Sequence, residues 1–406
     1  MTMIETCIKV EIIMKILRLS MLTTVTLTSS LILMACNAQS NSSKFEQKAA
    51  AETAKTTSVS RINQTYQVKT IAQFNEPWAM AALKDGRVLV TERKGKLKLF
   101  DPKTKQQVEI KGLPTVAYGG QGGLGDIVLH PQFQRNHWFY ISYAEAGQGG
   151  YGAVVVRGEL DLSNAQNSQI KHLKTIWTQV PKVQGQGHYS HRILFDADGK
   201  LWISSGERQK FDPAQDMNSN LGKILRLNDD GTAASGNPFT DRGEIAKQVW
   251  SLGHRNPLGL AFDDKSQLWS VEMGPKGGDE LNIIIKGENY GYPVVSNGDH
   301  YDGTDIPDHD TRAEFKAPEI SWTPVISPSS LIFYTGNQFP AWKNKALIGG
   351  LSSKAIVIVD TEMKPVIEVQ RLKMQQRIRG LLEVEDGSIW VLEDGKNARL
   401  LQLTAQ

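Results

Sequence analysis

The chain has 406 residues, 40% hydrophobic and 22% charged, the balance of a globular fold with a sizeable core rather than of a disordered or fibrous chain. A formal net charge of +3 without a long basic run leaves neither nucleic acid nor an anionic membrane surface as an evident partner. The two cysteines, Cys7 and Cys36, both precede the folded part, which excludes a disulfide framework or a cysteine metal site within it.

In chain order, the first element starts at Met14. A basic start (Lys15, Arg18) leads into an apolar stretch that ends Leu33-Met34-Ala35-Cys36, a secretory leader in form. The ending resembles a bacterial lipoprotein signal, with Cys36 lipidated after cleavage, Met14 as the true start and residues 1–13 as an upstream extension. An ordinary membrane anchor or an uncleaved leader is the alternative. Asn37, rather than aspartate, after the cysteine resembles a signal for the outer membrane, facing the periplasm. Residues 37–63 are small and polar and read as a tether. The expected organisation is therefore leader 1–36, tether 37–63 and folded domain 64–406.

The folded part opens with a strand over residues 65–74, "TYQVKTIAQF", and then repeats one theme: apolar strand, tight turn, second strand. Four copies are "MAALKDGRVLVTER" from Met80, "ILFDADGKLWISSGER" from Ile193, "LAFDDKSQLWSVEMG" from Leu260 and "LLEVEDGSIWVLEDG" from Leu381. Looser copies begin at Ile127 and Leu331. Asp-Gly pairs at 85–86, 198–199 and 386–387 supply the positive φ that two-residue hairpins require. A further strand follows each hairpin: "GKLKLFD", "RGELDLS", "GKILRLN", "DELNIII", "KAIVIVD" and "ARLLQLT". Six hairpins, each with an outer strand, predict an all-β chain, a six-bladed β-propeller with four-stranded antiparallel blades. The strand at 65–74 is expected to complete the last blade and close the ring.

One motif points elsewhere. Residues 120–125, Gly-Gln-Gly-Gly-Leu-Gly, spell the G-x-G-x-x-G of dinucleotide-binding folds. That motif requires a helix to follow, whereas Ile127-Val128-Leu129-His130-Pro131 is a short β-type run stopped by proline. The glycines therefore need another role.

In a propeller, loops from all blades meet at one end of the central channel, so the candidates are polar residues in glycine-rich loops ahead of inner strands. "GQGHYSHRILF" offers His188 and Arg192, and "GHRNPLGLAF" offers His254, Arg255 and Asn256. "EMGPKGGDELNIIIKGENYGYP" carries Glu272, Asp279, Glu280 and Tyr290. Arg377 and Arg379 stand two apart on a β-type segment and so point the same way.

Taken in order, these residues resemble the soluble sugar dehydrogenases that depend on pyrroloquinoline quinone (PQQ), in particular the aldose sugar dehydrogenase branch, over roughly residues 66–403. The resemblance implies oxidation of an aldose at C1 to the lactone. His188 would be the general base, removing the anomeric hydroxyl proton as hydride passes to the quinone. Gln121 would contact the quinone between glycines that let the backbone approach. Arg255 and Asn256 would sit beside the quinone carbonyls, Arg255 stabilising oxyanion character during reduction. Arg377 and Arg379 would face the cofactor's carboxylates, with Tyr301 a further cofactor contact. Ca2+ is implied as well, through backbone carbonyls of Gly274 and Pro275 at the cofactor. Glu280 and Tyr290, assisted by Asp279, would form a structural site.

Two departures stand out. The family usually has a lysine directly after the leucine of "GGLSSKAIVIV", whereas here Ser352 follows Leu351. On a strand, Lys354 would share that face, displaced by about 6–7 Å. Gly187 replaces the aspartate of the glucose-specific branch, which favours the broader aldose branch. The expected partners are aldose sugars and an unidentified electron acceptor, with membrane contact only through the lipid on Cys36. A calcium-dependent lactonase on a similar propeller, or a non-catalytic envelope lipoprotein, are the alternatives.

Overall fold

Alternating and fully apolar β-runs become strands throughout the computed structural model, which describes residues 62–164 and 167–406. The expected leader, and all but the last two positions of the tether, lie outside the described residues.

Strand β1 (Tyr66–Phe74) comes first. The first blade is β2 (Pro77–Ala82), β3 (Val88–Glu92), β4 (Lys96–Phe100) and β5 (Gln107–Ile110). The second is β6 (Leu124–Leu129), β7 (Trp138–Gly147), β8 (Gly150–Asp161) and β9 (Gln169–Thr178). The third is β10 (Ser190–Phe195), β11 (Leu201–Ser205), β12 (Lys223–Leu227) and β13 (Val249–Leu252). Six strands follow: β14 (Pro257–Phe262), β15 (Leu268–Glu272), β16 (Lys276–Gly277), β17 (Asp279–Ile283), β18 (Gly298–Asp299) and β19 (Ile320–Trp322). Of these, β14, β15, β17 and β19 form the fourth blade, while β16 pairs with β18 as a ribbon. The fifth blade is β20 (Pro328–Phe333), β21 (Ala346–Gly350), β22 (Ala355–Asp360) and β23 (Ile367–Lys373). The sixth is β24 (Ile378–Glu383), β25 (Ile389–Glu393) and β26 (Ala398–Ala405), and β1 completes it by pairing antiparallel with β26, from Tyr66 opposite Ala405 to Phe74 opposite Ala398.

The inner strands β2, β6, β10, β14, β20 and β24 neighbour one another in that order, and β24 returns to β2. This is the predicted six-bladed propeller, closed by its first strand. Apolar side chains fill the layers between neighbouring blades: Leu89, Leu97 and Trp78 of the first meet Ile127, Phe139 and Ile141 of the second. In the third and fourth blades a turn aspartate holds a tryptophan six residues on, Asp196 accepting from Trp202 Nε1 and Asp263 from Trp269 Nε1, each at 2.9 Å.

Two expectations need correction. The Asp-Gly hairpins are three-residue rather than two-residue turns. Gly86 N–H donates to Leu83 O and Leu83 N–H to Arg87 O, with the same pattern at 196–200 and 384–388. Only the glycine is left-handed (φ 89, 72 and 78 for Gly86, Gly199 and Gly387), which suits a type I turn with a bulge, because the aspartate keeps an ordinary φ. In addition, the strands read as outermost are third in each blade. The true fourth strands, such as β9, face solvent on one side and alternate too weakly to stand out.

A hub of charge ties the channel together. Arg192, its side chain 11% exposed, pairs with Asp126 at 3.2 Å, donates to Leu258 O at 2.6 Å and to Ser329 O, and lies 4.1 Å from the Trp78 ring. One guanidinium thus links five blades, so this residue, considered above for the site, belongs to the framework.

Candidate active site

The loop before β10 carries His188 on a left-handed backbone (φ 45), and Ser190 and His191 follow at φ 64 and 71. Opposite it, the loop after β11 places Arg208, Gln209 and Phe211 at φ 63, 57 and 63. Such conformations cost non-glycine residues about 1–3 kcal/mol each and persist where the surroundings impose them. Here Arg208 is the fastener. Its guanidinium donates to the carbonyls of Gly187 (2.7 Å), Tyr151 (2.6 Å) and Gly185 (2.6 Å) and lies 3.7 Å from the Tyr189 ring centre.

His188 Nδ1 bonds to the carboxylate of Glu207, which is fully buried. The other Glu207 oxygen accepts backbone N–H groups of Lys210 and Phe211. A carboxylate that accepts at Nδ1 fixes the proton there and leaves Nε2 with the lone pair. Burial holds the imidazole below its ordinary value against the opposing pull of Glu207, and Arg255 adds to the depression. The ring is therefore a neutral base. Burial works against ionisation of Glu207, but the hydrogen bond from His188 and those from the backbone bring its pKa below the ordinary value.

Beside the base lies a cavity of about 340 Å3 lined by residues of every blade, among them Trp78, Arg93, Gln121, Leu351, Arg377 and Arg379. Gln121, which lines the cavity, ties it to the His188 loop, because its Oε1 accepts the backbone N–H of His188 at 2.8 Å. The glycines around it are explained by close approach: a Cβ on Gly120 would lie 2.5 Å from Gln186 O, and one on Gly123 2.2 Å from Arg93 O. Arg93 in turn donates to Gly120 O and Gly122 O at 2.5 and 3.0 Å. Arg377 and Arg379 do point the same way, and both meet Asp394, with Nε to carboxylate distances of 2.8 and 3.0 Å. Three guanidiniums against one carboxylate make the cavity a receptor for anions.

Asn256 Oδ1 accepts from Ser190 N and Oγ at 3.2 Å, while Arg255 donates through Nη1 to Met273 O (2.9 Å) and Gly274 O (2.7 Å), its Nε having no partner in the protein. Behind Arg255, Glu272 and Glu280 stand directly opposite on β15 and β17, both buried. A void of about 10 Å3, one water-sized space, is lined by both carboxylates with Gly274, Tyr290, Tyr292 and Ser296. Burial drives the Glu272 carboxyl up to about 7, and burial plus its neighbour drives Glu280 to about 8. Asp279, raised to about 6 by burial, has both oxygens occupied by the backbone N–H groups of Gly274 (2.9 Å) and Ser327 (2.6 Å), so it fastens the loop instead of facing that void. Pro275 is buried beside Gly274, with which it shares the turn between β15 and β16.

At the rim, Tyr301 is 73% exposed, with Arg255 6.0 Å from its ring, and Phe211 packs edge-on against His300 at 5.5 Å. Lys354 does not share a strand face with the position after Leu351. Residues 351–354 form a turn, Lys354 is itself left-handed (φ 47) and exposed, and it lies outside the cavity lining. Ser352 is exposed and donates to Val325 O at 3.2 Å. Sequence reasoning missed Glu207, Arg93 and Asp394 and did not assign Glu272 a role. Glutamate in "SSGER" follows the second strand of a blade just as His188 precedes its inner strand, and that position was the available signal.

The profile of the Glucose / Sorbosone dehydrogenase family matches residues 74–402. The chain is 35% identical over 339 residues to the aldose sugar dehydrogenase YliI of Escherichia coli (strain K12), covering 82% of this chain and 91% of that protein. It superposes on the crystal structure of the soluble aldose sugar dehydrogenase from Escherichia coli in the apo-form with a TM-score of 0.80, at 34% identity, over 84% of this chain and 100% of that one. It superposes on the PQQ-bound aldose sugar dehydrogenase from Streptomyces coelicolor with a TM-score of 0.69, at 29% identity, over 85% and 99% of the two chains.

Proposed function

The chain belongs to the glucose/sorbosone dehydrogenase family, and from that premise we propose that it oxidises aldose sugars at C1 to the lactone with PQQ as cofactor. The observation that carries this reading is the junction at Gln121, where a neutral histidine base held by a buried carboxylate adjoins an arginine-lined, anion-receptive cavity.

The residues present suit the quinone. Arg93, Arg377 and Arg379 offer planar donors to carboxylates, and the buried Tyr189 hydroxyl has a bond to give. When bound, PQQ supplies the acceptor for the two electrons and the hydrogen leaving C1. Everything else falls to the chain. His188 Nε2 takes the proton of the anomeric hydroxyl, and Glu207 holds the ring in that tautomer and stabilises the imidazolium that results. Arg255 and Asn256 would stand beside the quinone carbonyls, Arg255 supplying positive charge there. Tyr301, 6.0 Å from Arg255, would be a further cofactor contact.

Calcium belongs to the same reading. Two directly opposed buried carboxylates around a water-sized void, beside the carbonyl-rich turn at Gly274 and Pro275, are a hard-oxygen donor set. Glu280, with Glu272, would supply charge to the structural ion and Tyr290 a further oxygen, while the carbonyls of Gly274 and Pro275 would serve the ion at the cofactor. Arg377 and Arg379, both in the cavity wall and both on Asp394, argue against the lactonase alternative. The leader ending at Cys36 would deliver the enzyme to the periplasmic side as a lipoprotein, where the reduced cofactor meets its acceptor.

His188→Gln separates catalysis from binding. Turnover with saturating quinone is expected to fall by about 10²–10⁴-fold, with quinone affinity nearly unchanged. A variant that keeps its turnover would remove His188 as the base.

A further inference from the structure

His191, three residues beyond the base, has no place in the chemistry above. Its ring is 3% exposed, lines the same cavity as Gln121, Arg93 and Arg379, and has no hydrogen-bond partner within the protein at either nitrogen. The ring is firmly seated: it stacks on Tyr189 at 5.2 Å and meets Trp78 edge-on at 5.8 Å. On its other side a Cβ at Gly125 would lie 2.7 Å from His191 Cγ, so the seat depends on a glycine in β6. Tyr189, which also lines the cavity, has a buried hydroxyl without a partner. Two adjacent polar side chains, both buried and unpartnered and both lining one cavity, make a hydrogen-bonding surface built for an occupant.

We propose that His191, with Tyr189 beside it, forms the polar floor on which the quinone rests, a source of hydrogen bonds in a chain whose Ser352 stands at the usual lysine position. The assignment rests on the reading that PQQ occupies this cavity. Ser352 turns to Val325 O and Lys354 stands outside, so neither residue reaches the cavity. A neutral imidazole suits the position. It brings one N–H donor to the oxygens of an anionic ligand without adding another charge to a site already crowded with arginines. Burial and the nearby Arg208, Arg93 and Arg192 hold His191 near 3, which keeps it neutral at working pH.

The test is fluorescence titration of PQQ into the calcium-loaded protein, with melting temperatures measured alongside. His191→Leu is expected to weaken quinone binding at least about tenfold without lowering the melting temperature of the quinone-free protein. His191→Gln, which keeps an N–H donor, should bind within about threefold of the unaltered chain, and Tyr189→Phe should weaken binding by about threefold or more. Unchanged affinity in a folded His191→Leu protein overturns the proposal. Should that variant fail to fold, unchanged affinity in Tyr189→Phe does the same. If the unaltered protein takes up no quinone, the functional reading falls first, and this assignment with it.

Discussion

At the residue scale, the proposed base depends on Glu207. Its two oxygens serve different donors, the His188 ring on one side and the Lys210 and Phe211 backbone on the other. Glu207→Gln must set an NH2 against one of them. If it faces the ring, the imidazole is forced to carry its proton on Nε2 and the base is lost. The expected result is a fall in kcat of about 10²-fold or more with little change in quinone affinity, read by steady-state kinetics and quinone titration. The pH dependence follows from the same contacts. His188 titrates below the usual histidine value, so its neutral, active form persists into mild acid and disappears only as pH falls through that lowered value. The acid limb of the kcat/KM profile should therefore lie below pH 6.5, the ordinary histidine value. A limb above it would contradict the assignment. His188, Gln121 and the arginines were legible in the sequence because each stands in a glycine-rich loop beside an inner strand. Glu207 and Asp394 were not, since a carboxylate's partners are set by how blades meet across the channel and no local pattern encodes that.

At the scale of elements, the β15–β17 ladder sets Glu272 directly across from Glu280. Like charges opposed on a sheet are destabilising unless a proton or a cation intervenes. Both carboxyls titrate in the fold above their ordinary value, near 7 and near 8. The fold therefore binds their protons more tightly than the unfolded chain does. Without metal, the stability they lend is complete below the unfolded carboxylate value of 4.5 and drains away as pH rises through 7 to 8. Calcium should reverse that trend. Its addition is expected to raise the melting temperature more at about pH 8 than at about pH 5, where protons compete for the carboxylates. Glu280→Gln should remove most of the effect; an equal calcium shift at both pH values would argue against the site. The hairpins could be read from their apolar runs and turn residues, since second strands such as β11 and β25 are buried along their whole length. The outer strands could not, because β5, β9 and β23 show solvent much of their surface and need no apolar pattern. The expectation for Lys354 failed for a related reason: a strand period was extended across a turn.

For the whole molecule, ring closure and the channel hub are the two features that tie the blades together. β1 covers β26 and thereby Leu401 and Leu403, so a chain shortened to begin at Asn75 would expose a long apolar edge. It should melt at least about 5 °C lower or aggregate, as thermal unfolding would show. Arg192→Leu leaves Asp126 buried without its cation and is expected to cost about 3–5 kcal/mol in denaturant unfolding. A change within about 0.5 kcal/mol would contradict the role of Arg192 as a framework residue.

The claim that all of this serves, an aldose oxidised in a quinone-filled propeller channel, is tested most directly by reconstitution. Purified protein is mixed with calcium and PQQ, and reduction of an electron-accepting dye is followed with a panel of aldoses. The expected result is sugar-dependent dye bleaching that vanishes when the quinone is left out. No bleaching with any aldose, together with no quinone-dependent rise in melting temperature, would contradict it.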